Sequence, residues 1–202
     1  MNKGTLYIIS APSGTGKSTI VSRVLAADPN IHFSVSATTR SPREGEVDGV
    51  NYYFKTREEF LHLIETGGML EHAEFCDNFY GTPKKPVFDK LAEGHDVILE
   101  IETVGAKKVM DACPEAVSIF ILPPSLQELR HRLETRATDS AEVINKRIAE
   151  ARAEIEKSPN YDFIVINDDL DKAVDDVKEV MKAAKNLTKL NQETIEGVLE
   201  KC

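Results

Sequence analysis

An apolar run, Leu6-Tyr7-Ile8-Ile9, ends at Ser10-Ala11-Pro12-Ser13-Gly14-Thr15-Gly16-Lys17-Ser18-Thr19, and a stretch with Ile20, Val21, Val24 and Leu25 follows. A buried strand, a glycine loop and a helix opened by Lys-Ser is how a chain builds a nest for polyphosphate. Gly14 and Gly16 permit backbone angles that a side chain forbids, so successive N–H groups can converge on phosphate oxygens. Lys17 then reaches the terminal phosphates, Ser18 can ligate Mg²⁺, and the helix start contributes its positive dipole end. The pattern G-x-x-x-x-G-K-[ST] departs here at one place, where Ala11 stands for glycine. An ordinary Gly-Lys-Ser turn is the bland alternative, but the flanking strand and helix weigh against it. The segment predicts a site for a nucleoside triphosphate.

The 202 residues are enough for one α/β core and an inserted subdomain. No run of eighteen apolar residues appears, so no membrane partner is expected. The first strand begins almost at Met1, which leaves no room for a signal peptide. Cys76, Cys113 and Cys202 are odd in number and lack metal-ligand spacing, so they read as reduced thiols in a cytoplasmic chain. A net charge of −9 argues against a nucleic-acid partner and for a small ligand held by local basic groups. The five histidines show neither metal spacing nor partners for nucleophilic catalysis.

Apolar runs at Leu6–Ile9, Val97–Leu99, Val117–Leu122 and Phe163–Ile166 predict buried parallel strands. Helices are expected at about 17–27, 103–112, 125–135, 141–156 and 170–186, two of their starts or neighbours marked by capping boxes at Thr56-x-x-Glu59 and Ser125-x-x-Glu128. This alternation predicts an α/β fold, a doubly wound parallel sheet with helices on both faces and ligands at the carboxyl strand ends. Residues 33–93 interrupt it with short β-like pieces, Phe33-Ser34-Val35, Tyr52-Tyr53-Phe54, Met69-Leu70-Glu71 and Phe79-Tyr80, and one helix near 57–66. They read as a small mixed lobe. Within it Arg40 and Arg43 flank Pro42, with Tyr52 and Tyr80 as possible hydroxyl donors; guanidinium forks suit a phosphate. On their own the two arginines would favour a solvated basic loop, with the tyrosines packed in the lobe.

Several longer stretches, taken together, resemble the guanylate kinases. They are the loop at 10–19, Phe-Ser-Val-Ser-Ala-Thr-Thr-Arg-Ser-Pro-Arg-Glu-Gly-Glu at 33–46, Tyr52-Tyr53-Phe54, Glu71-His72-Ala73-Glu74-Phe75, Tyr80-Gly81-Thr82, Ile98-Leu99-Glu100-Ile101-Glu102, Ile144-Asn145-Lys146-Arg147 and Val165-Ile166-Asn167-Asp168-Asp169-Leu170. The resemblance runs to about residue 187 and implies a P-loop NTPase-type core at 1–32 and 94–187. It further implies an inserted GMP-binding lobe at 33–93 and a helical lid at about 132–147, with 188–202 left as a tail or short helix. The reaction implied is ATP + GMP → ADP + GDP.

By the same resemblance, Glu71 reads guanine, Ser36 and Thr82 donate to its O6, and Glu102 is a second acceptor for the 2-amino group. A carboxylate suits guanine because N1–H and N2–H₂ lie side by side, whereas adenine presents a lone pair there. Arg40, Arg43, Tyr52 and Tyr80 would hold the GMP phosphate. Residues Ala11, Pro12, Ser13, Gly14, Thr15, Gly16, Lys17, Ser18 and Thr19, with Arg132 and Asn167, would hold ATP, and Lys17, Arg40, Arg136 and Arg147 would be catalytic. Ser18 and Glu100 would serve Mg²⁺, the carboxylate through water. Arg132 is equally compatible with an ion pair to Glu128 or Glu134 on a solvated helix, and Asn167 with an ordinary turn. Glu100-x-Glu102, Val104 and Ala137 depart from a common Asp-x-Asp, Gln and Gly pattern, so an active enzyme with altered rates is expected. Two rivals remain: a catalytically silent binding module, and a P-loop kinase acting on a sugar phosphate. Oligomeric state, monomer or homo-oligomer, is not legible.

Overall fold

The computed structural model describes residues 3–135 and 140–200. Strand β1 (Leu6–Ser10) runs into helix α1 (Lys17–Ala27) and then strand β2 (Ile31–Phe33). Strands β3 (Ala37–Thr38) and β4 (Tyr53–Phe54), helix α2 (Arg57–Glu65) and strands β5 (Met69–Phe75) and β6 (Asn78–Pro83) follow. The chain continues through α3 (Lys84–Ala92), β7 (Asp96–Glu100), α4 (Thr103–Ala112), β8 (Val117–Leu122), α5 (Leu126–Thr135) and α6 (Ala141–Ile155). It finishes with β9 (Phe163–Ile166), α7 (Leu170–Ala184) and α8 (Gln192–Leu199).

Among the described residues, the main sheet has the order β2-β7-β1-β8-β9, with every pairing parallel. Its central strand shows why both faces must be covered. Tyr7 and Ile9 of β1 enter one core with Ile20, Val24, Val174 and Val177 of α1 and α7, while Leu6 and Ile8 enter another with Val87, Leu91, Ala106 and Val109 of α3 and α4. Successive side chains on a strand point to opposite faces, so an uninterrupted apolar strand needs a helical layer on each side. Helices do cover both faces, as the expected doubly wound core requires.

A second sheet, ordered β4-β3-β6-β5, mixes parallel and antiparallel pairs. Its own small core joins Ala37, Phe60 and Met69, with Phe60 stacked on Phe79 at 5.5 Å. The capping box at α2 is complete: Thr56 accepts from Glu59 N–H at 3.2 Å and Glu59 accepts from Thr56 N–H at 2.8 Å. At α5 only half of the expected box forms. Ser125 accepts from Glu128 N–H at 3.0 Å, but the Glu128 carboxylate turns along the helix to Arg132.

Three elements differ from the sequence expectation, the shortest being β3, two residues at Ala37–Thr38 that lie outside every predicted β-like piece. Phe33, placed in the mixed lobe, ends β2 and pairs with Ile98 at the edge of the main sheet. Three residues are too few to carry a pattern that tells one sheet from another. Helix α3, not foreseen, puts Val87 and Leu91 four apart against β7. Pro86 hides its helical pattern, although a proline in a first turn costs little because that N–H has no helical partner. After α7, Leu190 packs on the main core and Lys189 donates to the Ala116 carbonyl at 2.9 Å. The segment expected to be a tail or a short helix contains α8, whose Val198 and Leu199 are exposed. Among the described residues, no helix is long and apolar enough to cross a membrane.

Candidate active site at the carboxyl ends of the parallel strands

The glycine loop leaves β1 at Ser10 and enters α1 at Lys17. Gly14 (φ 90°) and Gly16 (φ 95°) both take left-handed backbone angles, and α1 begins with no side-chain cap. Its first N–H groups are therefore open to an anion, with the helix dipole behind them. Ala11, Pro12 and Thr15 are buried, while Ser13, Ser18 and Thr19 are exposed. A Cβ on Gly14 would lie 2.8 Å from Leu133 Cδ2, so α5 presses directly on the loop.

Lys17 Nζ lies 3.4 Å from the Ile101 carbonyl and 4.0 Å from the Glu100 carboxylate. Burial lowers its pKa; Glu100, Glu102 and Glu154 act the other way. The Ser18 hydroxyl donates to the Glu100 carboxylate. Glu154, on α6, was not foreseen. Burial first, then the Glu102 charge, raises its pKa, while Lys17 and Lys157 lower it. Its spacing from Arg147, two helical turns, was the available signal, since it puts both residues on one face of α6.

Beside this loop the structure gathers Arg132, Arg147 and Asn167. Arg132 Nε donates to Glu128 at 2.9 Å, Nη1 to the Asn167 carbonyl at 3.0 Å and Nη2 to the Asp168 carbonyl at 3.5 Å. The ion-pair alternative for Arg132 is thus present, together with contacts to the β9–α7 turn. Arg147 reaches the loop itself, with Nη2 3.4 Å from Ser13 Oγ. Arg136 and Ala137 lie outside the described residues. The Asn167 side chain is buried and donates to the Thr15 carbonyl at 2.6 Å.

A second group of polar side chains lies against the start of α4. Thr82 Oγ1 donates to Glu71 Oε1 at 2.8 Å, across the β5–β6 pair. Thr82, the expected donor to a ring carbonyl, gives its hydroxyl proton to Glu71 in this structure. Desolvation raises the Glu71 pKa, opposed by the Thr82 hydrogen bond and the Lys108 charge. A Cβ at Gly105 would sit 3.0 Å from Glu71 Oε2, so α4 brings bare backbone up to that carboxylate. Glu102 is the N-cap residue of α4. Ser36 is partly buried before β3, its carbonyl accepting from Tyr53 N–H at 2.8 Å.

The arginines of the same lobe form a cluster of their own around Glu46. Arg40 donates from Nη1 and Nη2 to the two oxygens of Glu46, each at 2.9 Å, and from Nη1 to the Ser41 carbonyl at 2.7 Å. Its guanidinium carbon lies 5.4 Å from the centre of the Tyr52 ring, and Tyr52 meets Tyr80 edge-on at 6.2 Å. Glu46 also accepts from Arg43 N–H at 2.7 Å; the Arg43 residue is itself exposed. These donors, Arg40 first, hold the Glu46 carboxyl at about 2. Glu46 lies in the 33–46 stretch, and nothing in its spacing reveals this bidentate closure of the turn.

The segment from Glu100 to Gly105 thus faces both ways, Glu100 toward the glycine loop and Gly105 toward Glu71. A glycine loop opening a helix at the carboxyl end of a parallel strand, with Glu100 beside it and Glu71 against the next helix start, is the architecture of a P-loop nucleotide phosphotransferase. The family model for guanylate kinase matches residues 3–184. This chain belongs to the guanylate kinase family. It is 52% identical over 199 residues to a guanylate kinase of Hahella chejuensis, spanning 98% of this chain and 96% of that one. A guanylate kinase of Neisseria meningitidis serogroup A is 52% identical over 183 residues, 91% of this chain and 89% of the other. The crystal structure of the guanylate kinase from Anaplasma phagocytophilum superposes with a TM-score of 0.72 at 37% identity, over 93% of this chain and 89% of that chain.

Proposed function

We propose that the chain transfers the γ-phosphoryl group of ATP to the phosphate of GMP, giving ADP and GDP. The observation that carries the reading is the two-sided junction at residues 100–105. It sets the glycine loop and the Glu71–Thr82 pair on opposite sides of one strand end, so a donor in the first and an acceptor in the second meet above it. Glu71 supplies two adjacent acceptor oxygens, matched to the N1–H and N2–H₂ donors of guanine. Adenine offers a lone pair and no 2-amino group, so it leaves the half-buried carboxylate without its partners. Ser36 and Glu102 lie at the margin of the same pocket in this reading.

Phosphoryl transfer needs positioning and charge neutralisation more than covalent help. Arg40, Arg43, Tyr52 and Tyr80 hold the GMP phosphate, and Glu46 fixes Arg40 and its turn. The loop residues 11–19 cradle the triphosphate, Lys17 neutralises its terminal oxygens, and Arg132 with Asn167 flanks the base side. Arg147, already at Ser13, and Arg136 add positive charge from the lid as the phosphoryl group moves. The residues present fit Mg²⁺: Ser18 and Glu100 bring a hydroxyl and a carboxylate together next to the loop, and hard cations take oxygen ligands. When bound there, the ion supplies charge neutralisation at the phosphate oxygens.

The mixed sheet and α2 act as a GMP-binding lobe, and residues 132–147 as a lid that closes over both nucleotides and excludes water. MgATP and GMP in the cytoplasm are the working substrates. A coupled assay of ADP release with GMP, AMP, UMP, IMP and a sugar phosphate tests the reading. Turnover with GMP, weaker with IMP and negligible with the others, is expected. Turnover with the sugar phosphate, or none with any acceptor from folded protein, would replace it.

A further inference from the structure

Thr15 closes a turn of the P-loop, its N–H donating to Pro12 O at 3.2 Å, and its own carbonyl points into the protein. Thr15 has no exposed surface, and water cannot satisfy its carbonyl. A buried carbonyl needs a donor. Asn167 provides one: its Nδ2 donates to Thr15 O at 2.6 Å, although the two residues lie 152 apart in sequence. Only the amide nitrogen can face a carbonyl, which fixes the orientation of the side chain. The fit is close, because a Cβ on Gly16 would sit 2.7 Å from that same nitrogen.

Both backbone groups of Asn167 are also occupied. Its N–H donates to Leu122 O at 2.8 Å, prolonging the β8–β9 ladder, and its carbonyl accepts from Arg132 at 3.0 Å. The residue is therefore held by the sheet on one side and by α5 on another, with its amide extended to the loop. It borders an open cleft of about 450 Å³ that includes Gly14, Gly16, Arg132 and Leu170, yet only 5% of its surface is exposed there.

We propose that Asn167 is a positioning residue for the triphosphate: its side-chain amide braces the P-loop through the Thr15 carbonyl, and so serves any polyphosphate donor rather than reading the adenine ring. This rests on the reading of residues 11–19 as a triphosphate cradle. If it is right, losing the amide weakens every ligand of the cradle by the same factor. A base reader would instead weaken only ligands that carry the base.

The test is calorimetric binding of MgATP and of magnesium tripolyphosphate to wild type, Asn167→Ala and Asn167→Asp, with hydrogen exchange at Gly16 and Lys17 measured on the same proteins. Asn167→Ala is expected to weaken both ligands about tenfold, the size of one hydrogen bond, to leave the GMP KM unchanged and to speed exchange at both amides. Asn167→Asp is isosteric but turns an acceptor toward the carbonyl, so it is expected to be worse at neutral pH and to recover as acid protonates it into a donor. If the alanine variant does not fold, the aspartate pH profile carries the test. Loss confined to ATP, unchanged binding of both ligands, or an aspartate variant with no acid recovery would overturn the brace. Wild type that folds yet binds neither ligand would instead overturn the cradle itself.

Discussion

Exchanging Glu71 for Gln keeps the size of the side chain and isolates what its second oxygen contributes. In the structure Oε1 accepts from Thr82 at 2.8 Å, and Gly105 leaves the space beside Oε2 open to backbone alone. The amide has two settings. With its oxygen kept on Thr82, its NH₂ confronts the guanine donors. With the oxygen turned to the base, the NH₂ faces Thr82, whose hydroxyl can rotate and accept. The second setting is cheaper. It retains one neutral hydrogen bond to guanine and forfeits a charge-assisted one, a loss of about 1.5–3 kcal/mol. The GMP KM for Glu71→Gln is therefore expected to rise roughly 10- to 150-fold, at 1.4 kcal/mol per decade, while the ATP KM stays within about twofold. IMP lacks the 2-amino group, so the preference for GMP over IMP should narrow in the variant. Initial rates of coupled ADP release, with each substrate varied in turn, give all three numbers. An equal rise in both Michaelis constants would refute the argument, because a base-reading carboxylate has no contact with the donor nucleotide.

Other consequences are open to measurement. Gly105→Ala places a methyl 3.0 Å from Glu71 Oε2 and should raise the GMP KM while leaving the ATP KM alone; titrating each substrate in steady state checks it. Burial lifts the Glu71 pKa above 4.5, and the ionised form is the one that accepts from guanine. Wild-type kcat/KM for GMP should thus fall as pH drops through that raised value, and Glu71→Gln should lack this limb, although both keep the phosphate's own titration. Glu46 has the opposite sign: its folded carboxyl is held at about 2, below 4.5, so the stability it contributes is complete above 4.5 and is lost as pH falls toward 2. Denaturant unfolding across that window should show a shallower acid loss for Glu46→Gln, and parallel curves would contradict the assignment. Phe60→Ala empties the centre of the small sheet's core and should cost about 3–5 kcal/mol in chemical denaturation.

The parallel core was readable because its strands are uninterrupted apolar runs. Leu6–Ile9 and Val117–Ile121 are buried at every position, and such runs with helical segments between them have few other ways to fold. Strand β2 and helix α3 were not readable in the same way. One is three residues placed by the free edge of β7, and the other carries a proline in its first turn. At the site, residue types and spacing pointed to the glycine loop, while Glu71 and the roles of the arginines came with the resemblance to the guanylate kinases. Their pairings did not appear in the sequence. Glu46 closes on Arg40 six residues away across a turn, Thr82 faces Glu71 across the β5–β6 pair, and Asn167 reaches Thr15 from 152 residues away; residue type and spacing specify none of the three. The helical spacing of Arg147 and Glu154 on α6 was the one such signal that could have been used.

A crystal structure with GMP and a non-hydrolysable ATP analogue bound together would bear most directly on the proposed transfer. The guanine ring should lie against Glu71 and Thr82 with its phosphate on Arg40 and Arg43, and that phosphate should point at the terminal phosphorus held over Gly16 and Lys17. Guanine bound outside the Glu71 pocket, or an acceptor phosphate directed away from the glycine loop, would contradict it.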